Sequence, residues 1–202
     1  MIHSMLAQDH PEYSRGMTYV ELIVVLSIFS VMTSVVLFNY GEFQAKVDIK
    51  NLASDIALKI VEAQKSALSG KLPPSAASLL LNWKPSYGVY FNTSTSDEKK
   101  KFTYFANFFD DAYDSTSDSI LDQPSITKNN TISKLEVVGC SQPDVNNLSI
   151  VFRRPEFRAI ITSPTSPVAC SPSYAQITIE SSQSASTNAK IKIYPSGRIQ
   201  VN

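Results

Sequence analysis

The chain has 202 residues, with 18 basic and 18 acidic side chains and therefore no net charge. This balance argues against a basic protein held on nucleic acid by its phosphates and against an acidic disordered chain. Two cysteines are too few for a disulfide-dense miniprotein or a four-cysteine zinc site.

An apolar run dominates the amino-terminal third of the chain. Residues 17–38 contain one charged side chain, Glu21. As a helix the run would be roughly 33 Å long, enough to cross the hydrocarbon core of a bilayer. It directly follows a short polar segment that ends in Gly16, whereas a secretory signal peptide places a shorter apolar region before a small-residue cleavage site. The run predicts a membrane-spanning helix, and an uncleaved signal anchor is the alternative.

Glu21 is the unusual residue of this run. A carboxylate near the end of a transmembrane helix is costly and is therefore a candidate functional residue. Cleavage after Gly16 would create an amino group at Met17, one turn before Glu21, and a neighbouring copy could offer that amine as a partner. The alternative is a carboxylate that simply lies at the membrane interface.

The sequence RGMTYVEL at residues 15–22, followed by IVVLSIFSVM, resembles the type III signal of type IV prepilins and type II secretion pseudopilins. The resemblance implies that a prepilin peptidase removes residues 1–16 as a leader by cutting after Gly16. It also implies that Met17 becomes the N-methylated first residue and that Glu21 directs assembly.

Three features depart from the family pattern. The leader is poor in lysine and contains Asp9 and Glu12, and the first mature residue is Met17 in place of the commoner Phe. Phe38 stands where a helix-kinking proline is often found. Gly41 is a candidate hinge instead, because glycine lowers helix stability by up to about 1 kcal/mol relative to alanine. A tolerated helical glycine is the alternative.

The helix is predicted to continue past the membrane, because no proline occurs between residues 17 and 72. Apolar residues recur at steps of three or four, which is one stripe of an amphipathic helix. They are Ala45, Ile49, Leu52, Ile56, Ile60, Ala63 and Ala67. The pattern predicts a transmembrane part at 17–40 and an amphipathic part at 41–69 that packs on a head, with a separate coiled coil as the alternative. Gly70 and Pro73-Pro74 end the helix.

Residues 70–202 predict a β-rich globular head, in which loops are expected at 115–119, 163–173 and 181–188. Residues 76–81 fit either a helical turn or a strand. The predicted strands are 87–91, 102–109, 132–138, 148–153, 157–162, 174–180, 191–194 and 198–201, the last two joined by a short hairpin-like connection at Pro195-Ser196-Gly197.

The order of the head motifs resembles minor pseudopilins of the GspH/FimT type. It runs from YGVYF at residues 87–91 through LSIVF at 148–152 to the closing KIYPSGRI at 192–199. The expected fold class is therefore α+β, a type IV pilin-like fold in which a long amino-terminal helix packs on an antiparallel β-sheet head.

Cys140 and Cys170 lie on the side of the membrane expected to face outward. Two cysteines in an exported domain predict one disulfide, with two buried thiols as the alternative. A nucleophilic cysteine is disfavoured because both histidines, His3 and His10, belong to the leader. We find no nucleophile–base set, so no catalytic residue is assigned and the chain is not expected to be an enzyme.

Four aspartates cluster in the sequence FFDDAYDSTSD: Asp110, Asp111, Asp114 and Asp118. Clustered carboxylates could bind Ca²⁺, but the spacing is not that of an EF-hand, and a solvated acidic loop is the alternative. No other metal or cofactor is expected. Arg153, Arg154 and Arg158 form a small basic cluster, and Arg198 could contribute to a DNA-binding surface, although the even charge argues against a nucleic-acid partner.

The expected function is that of a structural subunit, a minor pilin or pseudopilin, of a type IV pilus or type II secretion pseudopilus. The expected partners are other subunits, a prepilin peptidase, an assembly platform protein and inner-membrane lipid. The chain would cross the inner membrane once, with its head outside the cytoplasm. The alternative is a membrane-anchored exported binding domain, such as an adhesin or a DNA-uptake receptor.

Overall fold

The computed structural model describes residues 16–73, 86–108, 110–164, 170–182 and 187–202, with the side chains of residues 38 and 39 excepted. The predicted leader, apart from Gly16, and the short segment at 76–81 lie outside the described residues. The chain divides into two compact units, Met1–Tyr40 and Gly41–Asn202. A 51-residue helix, α1 (Tyr19–Ser69), begins in the first unit and ends in the second.

The first unit is the apolar part of α1. Thr18 caps the helix, because its carbonyl accepts the first helical hydrogen bond, from Leu22, and its Oγ1 accepts one from the backbone N–H of Glu21 at 3.3 Å. The large apolar side chains between residues 19 and 37 are exposed. By length and composition this helix can cross a membrane, as the sequence predicts.

In the second unit, one face of α1 is buried. The buried residues are Ala45, Ile49, Ala53, Ile56, Ile60, Ala63 and Ala67. They recur every three or four positions, so the predicted amphipathic stripe is confirmed at all but one of its positions. Ala53 is fully buried in place of the predicted Leu52, which is only partly buried against the core. Four alanines on this face leave little side chain between the helix backbone and the sheets.

The helix ends where the sequence predicts. Gly70 has a φ of 66° and donates to the carbonyl of Ala67, while Lys71 donates to the carbonyl of Ser66. This pairing satisfies carbonyls of the last turn that have no partner within the helix. The positive φ explains why a glycine stands at this position.

Ten strands lie in the described part of the head. They are β1 (Ser86–Asn92), β2 (Thr103–Asn107), β3 (Ser119–Asp122), β4 (Thr131–Val138), β5 (Asp144–Val145), β6 (Asn147–Arg153), β7 (Ala159–Thr162), β8 (Tyr174–Glu180), β9 (Asn188–Ile193) and β10 (Ile199–Val201). They form two five-stranded antiparallel sheets, ordered β3-β2-β1-β6-β7 and β10-β9-β8-β4-β5. The expected α+β class, a long amino-terminal helix with antiparallel sheets, is confirmed.

Two edge strands were not predicted, and the other strand boundaries differ from the sequence prediction by up to three residues, most of all at the start of β9. β3 begins at Ser119, the last residue of a predicted loop, and β5 has only two residues. Such short strands carry too few alternating side chains to be seen as a pattern, and pairing with a neighbour defines them. β9 begins at Asn188 instead of residue 191, because Asn188 and Ala189 continue the ladder opposite Glu180 and Ile179.

The core of the head lies between α1 and the inner faces of both sheets. Its largest buried side chains include Tyr87, Phe91, Phe152, Ile132 and Ile177, which come from both sheets. The other face of the first sheet is partly covered too, because Phe105 on β2 is also fully buried. The loop that covers Phe105 contains the four predicted aspartates.

Candidate functional site

The predicted cleavage junction lies in open chain at the start of the described residues. Gly16 and Met17 precede α1, and Met17 is 64% exposed. Apart from Gly16 itself and its two chain neighbours, no atom of the described residues lies within 4 Å of the position that a Cβ would take at Gly16. The Gly16–Met17 peptide bond is therefore accessible and outside regular secondary structure.

Glu21 lies in the first turn of α1, three residues after the capping residue Thr18. Negative charge is favourable there, because the first-turn N–H groups give the helix amino terminus a partial positive charge. The side chain is exposed, and it forms no ion pair with another described residue. Glu21 is also the only charged residue between Met17 and Gly41. The geometry thus presents a carboxylate on an apolar helix that has no partner among the described residues.

Hydroxyl groups along the apolar helix bond back to its own backbone. Ser27 Oγ donates to the carbonyl of Val24 at 2.7 Å, and Thr33 Oγ1 donates to that of Phe29 at 2.8 Å. These bonds satisfy the polar atoms within the helix, which an apolar environment requires. Both positions therefore remain compatible with lipid or with another helix.

Cys140 and Cys170 form a disulfide, with their Cα atoms 5.5 Å apart. Strand register brings them together: Val138 at the end of β4 pairs with Tyr174 at the start of β8, and Ser173 donates to the carbonyl of Val138. The two cysteines continue from these paired strand ends. The predicted disulfide is confirmed, and its position indicates that it closes one end of the second sheet.

The aspartate loop folds back on itself. Asp110 accepts hydrogen bonds from Asn107 and from the N–H of Ala112, and Asp114 accepts from the N–H and hydroxyl of Thr116. Those bonds from Thr116 lower the pKa of Asp114. These two carboxylates therefore serve as turn-forming acceptors.

The other two aspartates fix the loop in place. The oxygens of Asp118 accept from the N–H groups of Phe108 and Asp114, at 3.2 and 2.9 Å, while burial raises the pKa of its carboxyl. Asp111 forms an ion pair with Arg153 on β6. Among the described residues, no group of three or more such side chains is arranged to hold a metal ion. Calcium binding stays an untested prediction, and the bonds seen here account for the cluster without it.

Tyr113 anchors this loop on the first sheet. Its backbone N–H donates to Ser149 Oγ on β6 at 3.1 Å, and its ring lies 4.9 Å from that of Phe105 and 4.6 Å from that of Tyr90. Aromatic pairs at these separations are attractive beyond the area they bury. The sequence prediction missed this role, because nothing in the spacing of the loop shows that its tyrosine returns to the sheet.

Polar contacts fix the amphipathic half of α1 to the head. Gln64 Nε2 donates to the carbonyl of Phe157 at 3.0 Å, and the hydroxyl of Tyr104 bonds to that of Ser66 at 3.0 Å. Gly197, with a φ of 83°, lies so close to Gln64 and the carbonyl of Phe157 that a Cβ would overlap them. The closing motif of the chain is therefore a docking point for the helix.

The predicted basic residues separate in the structure. Arg153 pairs with Asp111, whereas Arg154 and Arg158 are exposed. Arg198 stacks on the ring of Tyr194, 3.9 Å from its centroid, and that ring lies 5.6 Å from Tyr174. The predicted cluster of Arg153, Arg154 and Arg158 is thus divided between an ion pair and an exposed loop, and Arg198 belongs to an aromatic stack.

Comparisons of the chain with protein-family models, with curated proteins and with solved structures find no significant match.

Proposed function

We propose that this chain is a structural subunit, a minor pilin or pseudopilin, of a type IV pilus or type II secretion pseudopilus, and that it is not an enzyme. The observation that carries the proposal is Glu21, a single unpartnered carboxylate one turn after an accessible Gly16–Met17 bond, on an otherwise apolar helix. In this proposal a prepilin peptidase cuts after Gly16, and Met17 becomes the N-methylated first residue.

Electrostatics gives Glu21 its role. An unpaired carboxylate in the hydrocarbon region is costly, and a cation at the same depth reduces that cost. The amine created at Met17 of a neighbouring subunit is such a cation. Pairing between copies would set how far one helix is displaced along the next, while apolar side chains supply the contact area.

Small and hydroxyl-bearing residues along α1 support packing between copies. They are Ser27, Ser30, Thr33 and Ser34. Such residues let helix backbones approach closely in a membrane. The chain would cross the inner membrane once, with its head outside the cytoplasm, and would meet a platform protein during assembly.

The first experiment tests cleavage. The full chain is expressed with a prepilin peptidase, extracted from membranes and measured by intact mass. We expect loss of residues 1–16 and, with methylation, a gain of about one methyl group. Gly16→Leu should block cleavage, whereas Gly41→Ala, a glycine that also has open space around its Cβ position, should be cut normally. Wild-type protein that keeps residues 1–16 under these conditions would refute the proposal.

The second experiment tests assembly. Glu21→Ala should leave the protein in the membrane but abolish its incorporation into filaments, measured by shearing and immunoblotting. Glu42→Ala, the same change at an exposed position of the same helix, is the control and should still assemble.

A membrane-anchored binding domain is the second candidate, and a polar pocket in the head, described below, favours it. An anchor should tolerate Glu21→Ala, because it needs no partner helix. Binding activity that survives Glu21→Ala, in a chain that never enters filaments, would favour this second function.

A further inference from the structure

A surface pocket of about 250 Å³ opens beside the aspartate loop. Tyr90 on β1 and Tyr113 in the loop line one side, and Glu98 and Lys101, within and just after a short 3-10 turn, line another. Asn92 and Gln123 also line it. We call it the tyrosine pocket, and neither the disulfide nor the amino-terminal signal contributes to it.

Glu98 is the residue that points to a ligand. Its Oε2 is buried and has no hydrogen-bond partner among the described residues, although Lys101 lines the same pocket. A buried carboxylate oxygen without a donor costs free energy. The terminal torsion of a glutamate has a broad range, so rotation of the carboxylate can turn an acceptor oxygen toward a ligand in the pocket. The backbone of Glu98 is held by a 3.3 Å bond to Thr95 Oγ1, which fixes the site of that carboxylate.

The pocket is built from groups that can both donate and accept. One carboxylate and one ammonium line it, so their charges balance and neither an anion nor a cation is strongly favoured. Side-chain amides and hydroxyls each offer donors and acceptors. A ligand that presents several hydroxyl groups matches this lining, because every hydroxyl also donates and accepts.

The two tyrosine rings pack on each other and supply an aromatic surface to the pocket. The rings of Tyr90 and Tyr113 lie 4.6 Å apart, tilted by 31°. Burial raises the pKa of both phenols, and nearby carboxylates add to the effect, Glu98 at Tyr90 and chiefly Asp118 and Asp114 at Tyr113, so both remain neutral donors near pH 7. A volume of about 250 Å³ is slightly below the range of drug-sized sites and suits one small ring.

We propose that the tyrosine pocket binds one neutral sugar ring of a carbohydrate. The apolar face of the ring lies against Tyr90 and Tyr113, and a ring hydroxyl donates to Glu98. Asn92, Lys101 and Gln123 bond to the remaining hydroxyls. This activity is separate from filament assembly, and a subunit with such a pocket would bring carbohydrate recognition to the surface of its assembly.

Titration calorimetry tests the proposal on the full chain. The protein is kept in a zwitterionic detergent, because the head group of a maltoside or glucoside would compete for the pocket. Glucose, galactose, mannose and N-acetylglucosamine are the probes. We expect saturable binding of at least one of them, with a Kd of about 1 mM or tighter. Failure of all four to bind would overturn the proposal.

Matched variants locate the binding. Glu98→Gln keeps the size of the side chain and should weaken binding about tenfold, the effect of losing a hydrogen bond to a charged group. Glu156→Gln, the same change on an exposed loop, should leave binding unchanged. Tyr90→Phe should retain the stacking surface and weaken binding by a smaller factor. Equal affinity in Glu98→Gln and wild type would overturn the assignment.

Charged probes decide between ligand classes. Ethylammonium and acetate should not bind, because neither carries the set of hydroxyls that the pocket matches. Tighter binding of either ion than of every sugar would refute the carbohydrate proposal. Cleavage after Gly16 and assembly through Glu21 are measured separately, so failure of sugar binding leaves the filament proposal intact, and the reverse also holds.

Discussion

Lys59 on α1 bonds to Asp122 at the end of β3, with 2.8 Å between Nζ and Oδ2. The same ammonium lies 3.0 Å from Glu62 on its own helix and 5.5 Å from the ring centroid of Tyr104. This contact joins the amphipathic helix to an edge strand that the sequence did not reveal. The side chain of Lys59 is 27% exposed and that of Asp122 is 46% exposed, so solvent weakens the pair.

Lys59→Met should lower the free energy of unfolding of the head by about 1 kcal/mol at pH 7. This value is the upper end of the stabilisation that exposed ion pairs usually provide. The bond to Asp122, followed by the effects of Glu62, raises the pKa of Lys59 above its ordinary value of 10.5. A raised pKa stabilises the fold below the unfolded-state value, and this contribution is lost as the pH rises through the folded-state value.

Denaturant titrations of the full chain in detergent, from pH 7 to pH 11, measure this difference between variant and wild type. The difference should be constant to about pH 9 and shrink at higher pH. Lys99→Met, the same substitution in the 3-10 turn, is the control and should lower the free energy of unfolding by less. A variant difference that grows with pH would contradict the assigned contact.

Tyr113→Ala should destabilise the head by about 2–3 kcal/mol, because it removes a ring that covers the fully buried Phe105. Tyr113→Phe keeps the ring and should cost less than about 1 kcal/mol. Denaturant titration followed by near-ultraviolet circular dichroism measures both. Similar losses in the two variants would show that the hydroxyl, and not the ring, holds the loop.

Reduction of the Cys140–Cys170 disulfide should destabilise the head by about 3–4 kcal/mol, the chain-entropy value for a bridge between residues 30 apart. Thermal unfolding with and without a reducing agent gives the size of the effect. A double variant with alanine at both positions should resemble the reduced protein and should not respond to the reductant. A response in that variant would indicate an effect unrelated to the disulfide.

Gly197→Ala should cost more than about 2 kcal/mol, because the position requires a positive φ and a Cβ would overlap the carbonyl of Phe157. Gly41→Ala is the contrasting change. It introduces a methyl group into open space on a helix and should stabilise the helix by up to about 1 kcal/mol. Helix content and unfolding free energy in detergent compare the two, and equal effects would contradict the docking role of Gly197.

Calcium should leave the melting temperature of the head unchanged, because the aspartate carboxylates already accept bonds from the loop and from Arg153. Melting curves in the presence of calcium and of a chelator make the comparison. A rise in melting temperature with calcium that Asp114→Asn abolishes would restore the loop as a calcium site.

The sequence by itself determined the features that depend on local pattern. An uninterrupted apolar run defines a membrane-length helix, a three- or four-residue spacing defines the buried face of its continuation, and Gly70 marks its end. Most strands of the head follow from β-branched and aromatic runs between turn residues. The spacing between Gly16 and Glu21 is also read directly from the sequence. The structure adds the helix cap at Thr18 and shows that Glu21 forms no ion pair with another described residue.

Tertiary structure decided what depends on pairing across the chain. β3 and β5 exist because neighbouring strands offer them partners, and Cys140 meets Cys170 because β4 and β8 pair in one register. The hydrogen bonds and the ion pair of the four aspartates, which shape the loop beside Phe105, also follow only from the folded chain. The tyrosine pocket is lined by residues from β1, a 3-10 turn and the aspartate loop. Local sequence spacing could not predict that these residues lie together, because the packing of separate segments sets their positions.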